Sequence, residues 1–360
     1  MKEKTNINEE IISFFKENGY EVPNIPINRK YWLVRTEGGD WFEQFSSQNY
    51  IGVGWNEISD EKYLENVNKK QAINILNSNY PDKSQHSHTL NIIKKFYKEM
   101  SIGDIVMIPS VSSQTIKFGV ITSEVKILKP TETEIDEGSC PYFKRRDVKW
   151  VKTINKNSLD LKLFKMLQSR HTISNANDYA NEIDSSLYDF YVKGETVNMS
   201  ILVNKERNLS AYSLKTLTNL PWTFEKFMKG VDYDLKELES KIYIRSRGKQ
   251  ELIAKGKNGV KYTFYSALIM IALVGGKLEV QGLTVETKGA LQPLLESLLN
   301  HNVEHNRHVE QTNDHNQEDL KKLRDEVWEL KNQAEIKAPE LPKTNKANEE
   351  DEEIDETDIY

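Results

Sequence analysis

Few residues in this chain have the types and spacing that chemistry or recognition needs. Residues 31–58, YWLVRTEGGDWFEQFSSQNYIGVGWNEI, hold Tyr31, Trp32, Trp41, Phe42, Phe45, Tyr50 and Trp55, in a chain whose overall aromatic content is only 9%. Rings at that density fill a core or present flat faces. A flat face can hold a nucleic-acid base, each stacked base contributing about 1–3 kcal/mol. A basic run follows later, Lys144, Arg145, Arg146, Lys149 and Lys152, with the charge to meet phosphates. Glu286-Thr287-Lys288 matches the acid-x-lysine half of a metal-dependent nuclease signature, in which a carboxylate holds the metal and the lysine orients the attacking water. The aspartate one hairpin upstream is missing, since no Asp lies between Asp234 and Asp314.

Other reactive side chains point to bland roles. His301, His305, His308 and His315 would put imidazoles on adjacent helical turns, a spacing that suits zinc or nickel. In the heptad register described below, His301, His308 and His315 all fall on an outward position, so a solvated stripe is expected. His86 and His88 flank Ser87 without further ligands nearby in sequence, and no metal site is expected. Cys140 is the single cysteine, so an internal disulfide and a cysteine-cluster zinc site are both excluded. It has no evident histidine partner to make it a nucleophile. The chain has no glycine-rich phosphate loop, and RTEGGDW lacks the strand-to-helix context such loops need. With no cofactor motif either, a binding protein is expected ahead of an enzyme; if an enzyme, a nuclease.

Charge and composition set the frame for those residues. Net charge is −6, but residues 349–360, EEDEEIDETDIY, carry eight acids and no base, which leaves the remainder at +2. A mildly basic body permits a polyanion partner, and the acidic end reads as a disordered tail. Mean hydropathy is −0.65. The opening residues show no basic-then-apolar signal, so a cytoplasmic protein is expected.

Several elements must position the candidates. Residues 1–28 read as a leader with a short amphipathic helix and an extended linker, VPNIPIN. Across 29–193 the runs KYWLVRT, YIGVGW, DIVMIPS, KFGVITSEVKIL and DVKWVKTI read as strands, and EKYLENVNKKQAINILNS and SHTLNIIKKFYKEM as helices. The short strands and the glycines Gly52, Gly54, Gly103 and Gly119 predict a small curved barrel within one α+β domain. Residues 194–290 form a second α+β unit, with strands at TVNMSILVN and KIYIRSR, a helix from Ser213 to about Lys229, and an alternating strand at KLEVQGLTVET. The apolar run between Lys261 and Lys277 falls short of the roughly 20 residues a membrane-crossing helix needs. It reads as a buried helix, with a membrane-active effector through 262–276 as the alternative.

From 291 to 335 a heptad holds, with Leu295, Asn302, Val309, Asn316, Leu323 and Leu330 at d and Leu299, Asn306, Asn313, Leu320 and Val327 at a. Asparagines in such a seam fix register and oligomer number. A homo-oligomeric coiled coil is therefore expected, followed by disorder over 336–360.

The order of motifs in residues 31–155 resembles the PUA/EVE-like domain at the front of some Mrr-type restriction endonucleases and related prokaryotic defence proteins. The residues that carry the resemblance are Trp32-Leu33-Val34-Arg35, Ile51-Gly52-Val53-Gly54-Trp55, Gly103-Asp104-Ile105-Val106, Gly119-Val120-Ile121 and Arg146-Asp147-Val148-Lys149-Trp150. The resemblance implies a pseudo-barrel that reads nucleic acid, DNA ahead of RNA, by enclosing an extruded and often modified base between aromatic walls. By position it makes Arg35, Trp41, Trp55, Ser110 and Arg146 the expected pocket or rim, with Lys144, Arg145, Arg146 and Lys149 at phosphates. It also implies a role in antiviral defence or restriction. No Mrr-type catalytic domain is recognisable downstream, which leaves Glu286 and Lys288 as the weak nuclease alternative.

Overall fold

The computed structural model describes residues 7–17, 20–82, 85–205, 208–225, 232–243, 248–274, 276–280, 283–287 and 313–340. The chain is α+β and divides into two units, Asn28–Leu187 on one side and Met1–Ile27 with Tyr188–Tyr360 on the other. It opens with helix α1 (Ile7–Glu17) and a two-residue strand β1 (Asn24–Ile25).

The unit Asn28–Leu187 contains β2 (Tyr31–Val34), α2 (Phe42–Ser47), β3 (Tyr50–Val53), α3 (Lys69–Asn79), α4 (His86–Lys94), β4 (Ile105–Pro109), β5 (Thr115–Ile121), β6 (Lys126–Ile127), α5 (Glu132–Asp136), β7 (Lys144–Asn155), α6 (Leu161–Leu167), β8 (Ile173–Asn175) and α7 (Ala180–Leu187). Its sheet runs β3-β7-β5-β4-β2-β8, with β6 also paired to β7. Only β2 and β4 run parallel. All residues of β2, β3 and β4 are buried, as expected for strands covered on both faces. The twelve-residue β7 pairs first with β3 and then with β5, across a register shift between Phe118 and Gly119. Such a bulge bends its strand and raises the twist, and here the sheet curls into a half-barrel.

Buried polar groups tie this unit together. Trp32 donates its indole N–H to Asp104 at 2.9 Å, and the same carboxylate accepts the backbone N–H groups of Lys30 and Ser101. Tyr31 donates its hydroxyl to Asp184 at 2.7 Å. Burial without such partners would cost about 1–3 kcal/mol per group. Trp32 is thus a core residue.

The second unit adds β9 (Phe190–Lys193), β10 (Thr196–Val203), α8 (Ala211–Glu225), β11 (Glu239–Tyr243), β12 (Gly248–Lys255), α9 (Gly256–Val274), the hairpin β13 (Gly276–Val280) and β14 (Leu283–Thr287), α10 (Asn313–Ala334) and β15 (Ile336–Lys337). Its sheet runs β1-β9-β10-β12-β11, with β15 against β10. Both ends of the described chain join this unit. The linker VPNIPIN supplies β1, parallel to β9, and α1 buries Ile11 and Phe15 in its core. Phe190–Lys193, expected to close the first domain, is a strand here. The stretch expected as one strand, KLEVQGLTVET, is a two-stranded hairpin.

Helix α9 buries 14 of its 19 residues, which makes it a core helix rather than a surface one. Its hydroxyls are satisfied within the helix: Thr263 donates to the Gly259 carbonyl and Ser266 to that of Tyr262. Among the described residues no helix is long and apolar enough to cross a membrane. In α10 the heptad residues Leu323, Val327 and Leu330 are buried in the unit's own core, while Trp328 is exposed. Those three residues of the expected coiled-coil seam pack against their own chain. The side chains of its earlier positions, Leu295 to Leu320, and the acidic tail lie outside what the structure describes.

Candidate functional site

Two loops of the unit Asn28–Leu187 frame a cavity of about 550 Å³, lined by Arg35, Glu37, Gly38, Gly54, Trp55, Tyr80, Tyr142, Arg170 and Thr172. One loop leaves β3 at Val53 and the other leads into β7 at Lys144, two strands paired in register there (Val53 opposite Lys144). The strand pairing therefore sets Trp55 and Tyr142 side by side. Asn56 ties the loops together, donating to the Pro141 carbonyl at 2.9 Å and accepting the Phe143 N–H at 3.1 Å. Gly54 lets the wall close: a Cβ there would stand 3.1 Å from the Tyr142 ring.

The backbone at the cavity is strained in two places. Trp55 has φ 59° and Glu37 φ 54°, left-handed conformations that bulky residues rarely adopt. Each costs on the order of 1–3 kcal/mol and persists only where surroundings over-determine it. At Trp55 the surroundings include Lys144, which is fully buried and donates its Nζ to the Trp55 carbonyl at 2.8 Å. Burial pushes the Lys144 ammonium down to about 8, partly offset by Glu57. At Glu37 they include Gly39, whose φ of 118° places it so near the Val111 backbone, 2.5 Å from a notional Cβ, that only glycine fits.

Glu37 organises the aromatic side of the cavity. Its Oε2 accepts both the Trp41 indole N–H at 2.7 Å and the Tyr142 hydroxyl at 2.6 Å. Trp41 and Tyr142 meet edge to face at 6.0 Å. Burial, then the hydrogen bond to Glu37, pushes the Tyr142 phenol far above its usual range, so it stays a donor. Tyr80, also lining the cavity, donates to Glu57 at 2.9 Å and its phenol is pushed up to about 12, chiefly by burial. Arg35 is anchored through Nε and Nη2 to the carbonyls of Ser169 and Leu167, and burial lowers its pKa. Arg170 makes no hydrogen bond or ion pair among the described residues.

The expected site residues separate into groups. Arg35 and Trp55 line the cavity, and Trp41 braces it through Glu37 and Tyr142. Ser110 does not line it; its hydroxyl caps the turn between β4 and β5 by accepting the Thr115 N–H. The expectation that Lys144 and Arg146 contact phosphates is corrected, because both side chains are fully buried. Arg146 donates to the carbonyls of Phe96, Tyr97, Met100 and Ser123, besides pairing with Glu124. Three of those carbonyls belong to the wide π-helical turn Lys95–Glu99 or to its cap, Met100, where regular intrahelical bonding stops. Arg145 is also engaged, bonded to the carbonyls of Tyr142 and Cys140 and stacked 4.4 Å from the Tyr50 ring. It holds the loop that carries Tyr142. Lys149 alone of the four is exposed, beside a shallow groove with Trp150, Gln48 and Asn49.

Sequence reasoning missed Glu37, Tyr80, Tyr142, Arg170 and Thr172. The signal for Glu37 was present in Glu37-Gly38-Gly39, a turn-forming run inside the aromatic block. Arg170 and Thr172 reach the cavity because β8 pairs with β2, a long-range pairing with no local mark. Of the nuclease residues, Glu286 lies on β14 and Lys288 falls outside the described residues. His86 is buried at the start of α4, while the exposed His88 ring lies 5.0 Å from that of His171.

No curated protein matches the chain. Every residue lining the cavity, from Arg35 to Thr172, falls within residues 30–176, the stretch that matches the model of a family described as Domain of unknown function (DUF8426).

Proposed function

We propose that the unit Asn28–Leu187 binds nucleic acid by enclosing one extruded base in this cavity, in the manner of the PUA/EVE-like domains that residues 31–155 resemble. The observation that carries the reading is the joining of Trp55, Tyr80 and Tyr142 with Arg35 and Arg170 around about 550 Å³. Aromatic walls recover the few kcal/mol lost on unstacking a base, and guanidinium groups supply donors to its edge or its phosphate. Clamping of Trp55 and Tyr142 by Lys144, Asn56 and Arg145 favours a preformed site, which lowers the ordering cost of binding. DNA is the partner in this reading, and a prokaryotic defence or restriction-type system its setting. Self-association through 291–312, where the heptad pattern continues, belongs to the same reading.

Fluorescence anisotropy of the full chain against single- and double-stranded oligonucleotides, with plain and modified bases, tests it. Binding that weakens with salt and falls with Trp55→Ala is the expected result. Affinity indifferent to Trp55→Ala would remove the cavity from the function.

A further inference from the structure

The polar groups around the cavity differ in how many hydrogen bonds they still have to offer, and that inventory selects among bases. Glu37 Oε2 is occupied by Trp41 and Tyr142, whereas Oε1 accepts nothing among the described residues. A carboxylate oxygen has about two acceptor sites, so Glu37 can still take two N–H donors. Arg35 is anchored through Nε and Nη2, with no bond from Nη1 to any described residue. Arg170 bonds to no described residue, which leaves five donors in the fork geometry that suits two adjacent acceptors. The cavity thus offers one carboxylate edge for neighbouring donors and one guanidinium fork for neighbouring acceptors, between aromatic rings.

Guanine is the common base that presents both patterns. Its N1–H and N2–H₂ are adjacent donors on one edge, and its O6 and N7 are adjacent acceptors on another, the pair an arginine fork reads. Adenine and cytosine each offer a single amino donor group, and thymine a single ring N–H. Building on the base-enclosing reading above, we infer that the cavity is selective for guanine, with Glu37 Oε1 taking the N1 and N2 edge and Arg170 taking O6 and N7. Trp55, Tyr80 and Tyr142 then supply the aromatic surface against the purine.

The test uses the full chain and a fluorescein-labelled DNA duplex with one unpaired central nucleotide: guanine, inosine, 7-deazaguanine, adenine, cytosine or thymine. Guanine is expected to bind at least about fivefold more tightly than adenine, cytosine or thymine, the lower end of what a good bidentate contact provides. Inosine lacks the N2 donor and 7-deazaguanine lacks N7, and each should lose about that factor. Arg170 is exposed, so Arg170→Ala should fold normally; it should abolish the difference between guanine and 7-deazaguanine while keeping that between guanine and inosine. Equal affinity for all six probes, still lowered by Trp55→Ala, would overturn guanine selectivity and leave the base-enclosing reading standing. A preference for cytosine or adenine would do the same. Binding of none of the probes would overturn both.

Discussion

The two units use buried polarity in opposite ways. In the second unit, α9 carries an almost unbroken apolar surface into a core shared with α1, α8 and α10, and its hydroxyls bond within the helix itself. In the unit Asn28–Leu187, a fully buried lysine and a fully buried arginine hold loop carbonyls around one cavity and one widened helical turn. Left-handed residues follow the same division. Among the described residues other than glycine, Glu37, Asn49, Trp55, Ser112 and Ser113 have positive φ in this unit, against Glu335 alone in the other. Strain and buried charge gather where a surface must be held in a shape that packing alone would not choose. On the proposed reading, recognition falls to the first unit and cohesion to the second.

The contrast can be broken most forcefully at Arg146. Replacing it by alanine leaves four carbonyls without their partner, and a loss of about 3 kcal/mol or more is expected, since each buried carbonyl left unpaired costs about 1–3 kcal/mol. Chemical denaturation read in the near ultraviolet checks it; a loss under about 1 kcal/mol would show that water satisfies those carbonyls. In the second unit, Leu323→Ala should cost about 2–5 kcal/mol through the cavity it leaves, with oligonucleotide affinity unchanged. A fall in affinity with intact folding would erase the division of labour.

Lys144 makes a pH prediction with a definite sign. Its folded pKa, about 8, lies below the 10.5 of the free side chain, so between those values the unfolded chain binds more protons than the folded one. Stability should therefore rise with pH from about 8, by at most ~1.4 kcal/mol per pH unit. Above pH 10 the sign reverses: Tyr80 and Tyr97, both held up to about 12, keep protons that the unfolded chain gives up. Urea titrations at pH 7, 8, 9 and 10 should show the rise in the native protein and its disappearance in Lys144→Met. A flat profile in the native protein would place water at Nζ.

Trp55→Ala should weaken oligonucleotide binding by about 1–3 kcal/mol with little change in melting temperature. A large fall in melting temperature would return Trp55 to a packing role. The smallest effect is expected at Lys149, exposed on β7: alanine there should lower affinity slightly for every sequence and reduce the salt slope by about one. A sequence-dependent loss would instead make Lys149 a base reader.

Much of the strand and helix content was legible because alternation and helical spacing are local. The segments around Tyr31, Tyr50, Ile105, Thr115 and Asp147 all lie in observed strands, and the apolar run of α9 is a buried helix. The unit boundary was less legible. Nothing in VPNIPIN reveals that Asn24 and Ile25 pair with Val192 and Lys193, because strand partners 168 residues apart leave no mark on either segment. The same limit separated Lys144 and Arg146 from the surface. Their charges suggested phosphates, yet alternation along β7 and the carbonyls freed by the turn at Lys95–Glu99 drew Arg146 inward.

The sequence by itself determined that this chain carries two α+β regions, an aromatic block that exceeds what its strands need, and an acidic end, since these follow from periodicity and composition. Only the tertiary structure decided which rings and charges share a cavity. Trp55, Tyr142 and Arg170 come from three separated segments, joined by the pairing of β3 with β7 and of β2 with β8. Hydrogen bonds from buried donors then hold a tryptophan in a conformation its own backbone would avoid. That arrangement is a property of contacts distant in sequence, and no local pattern encodes it.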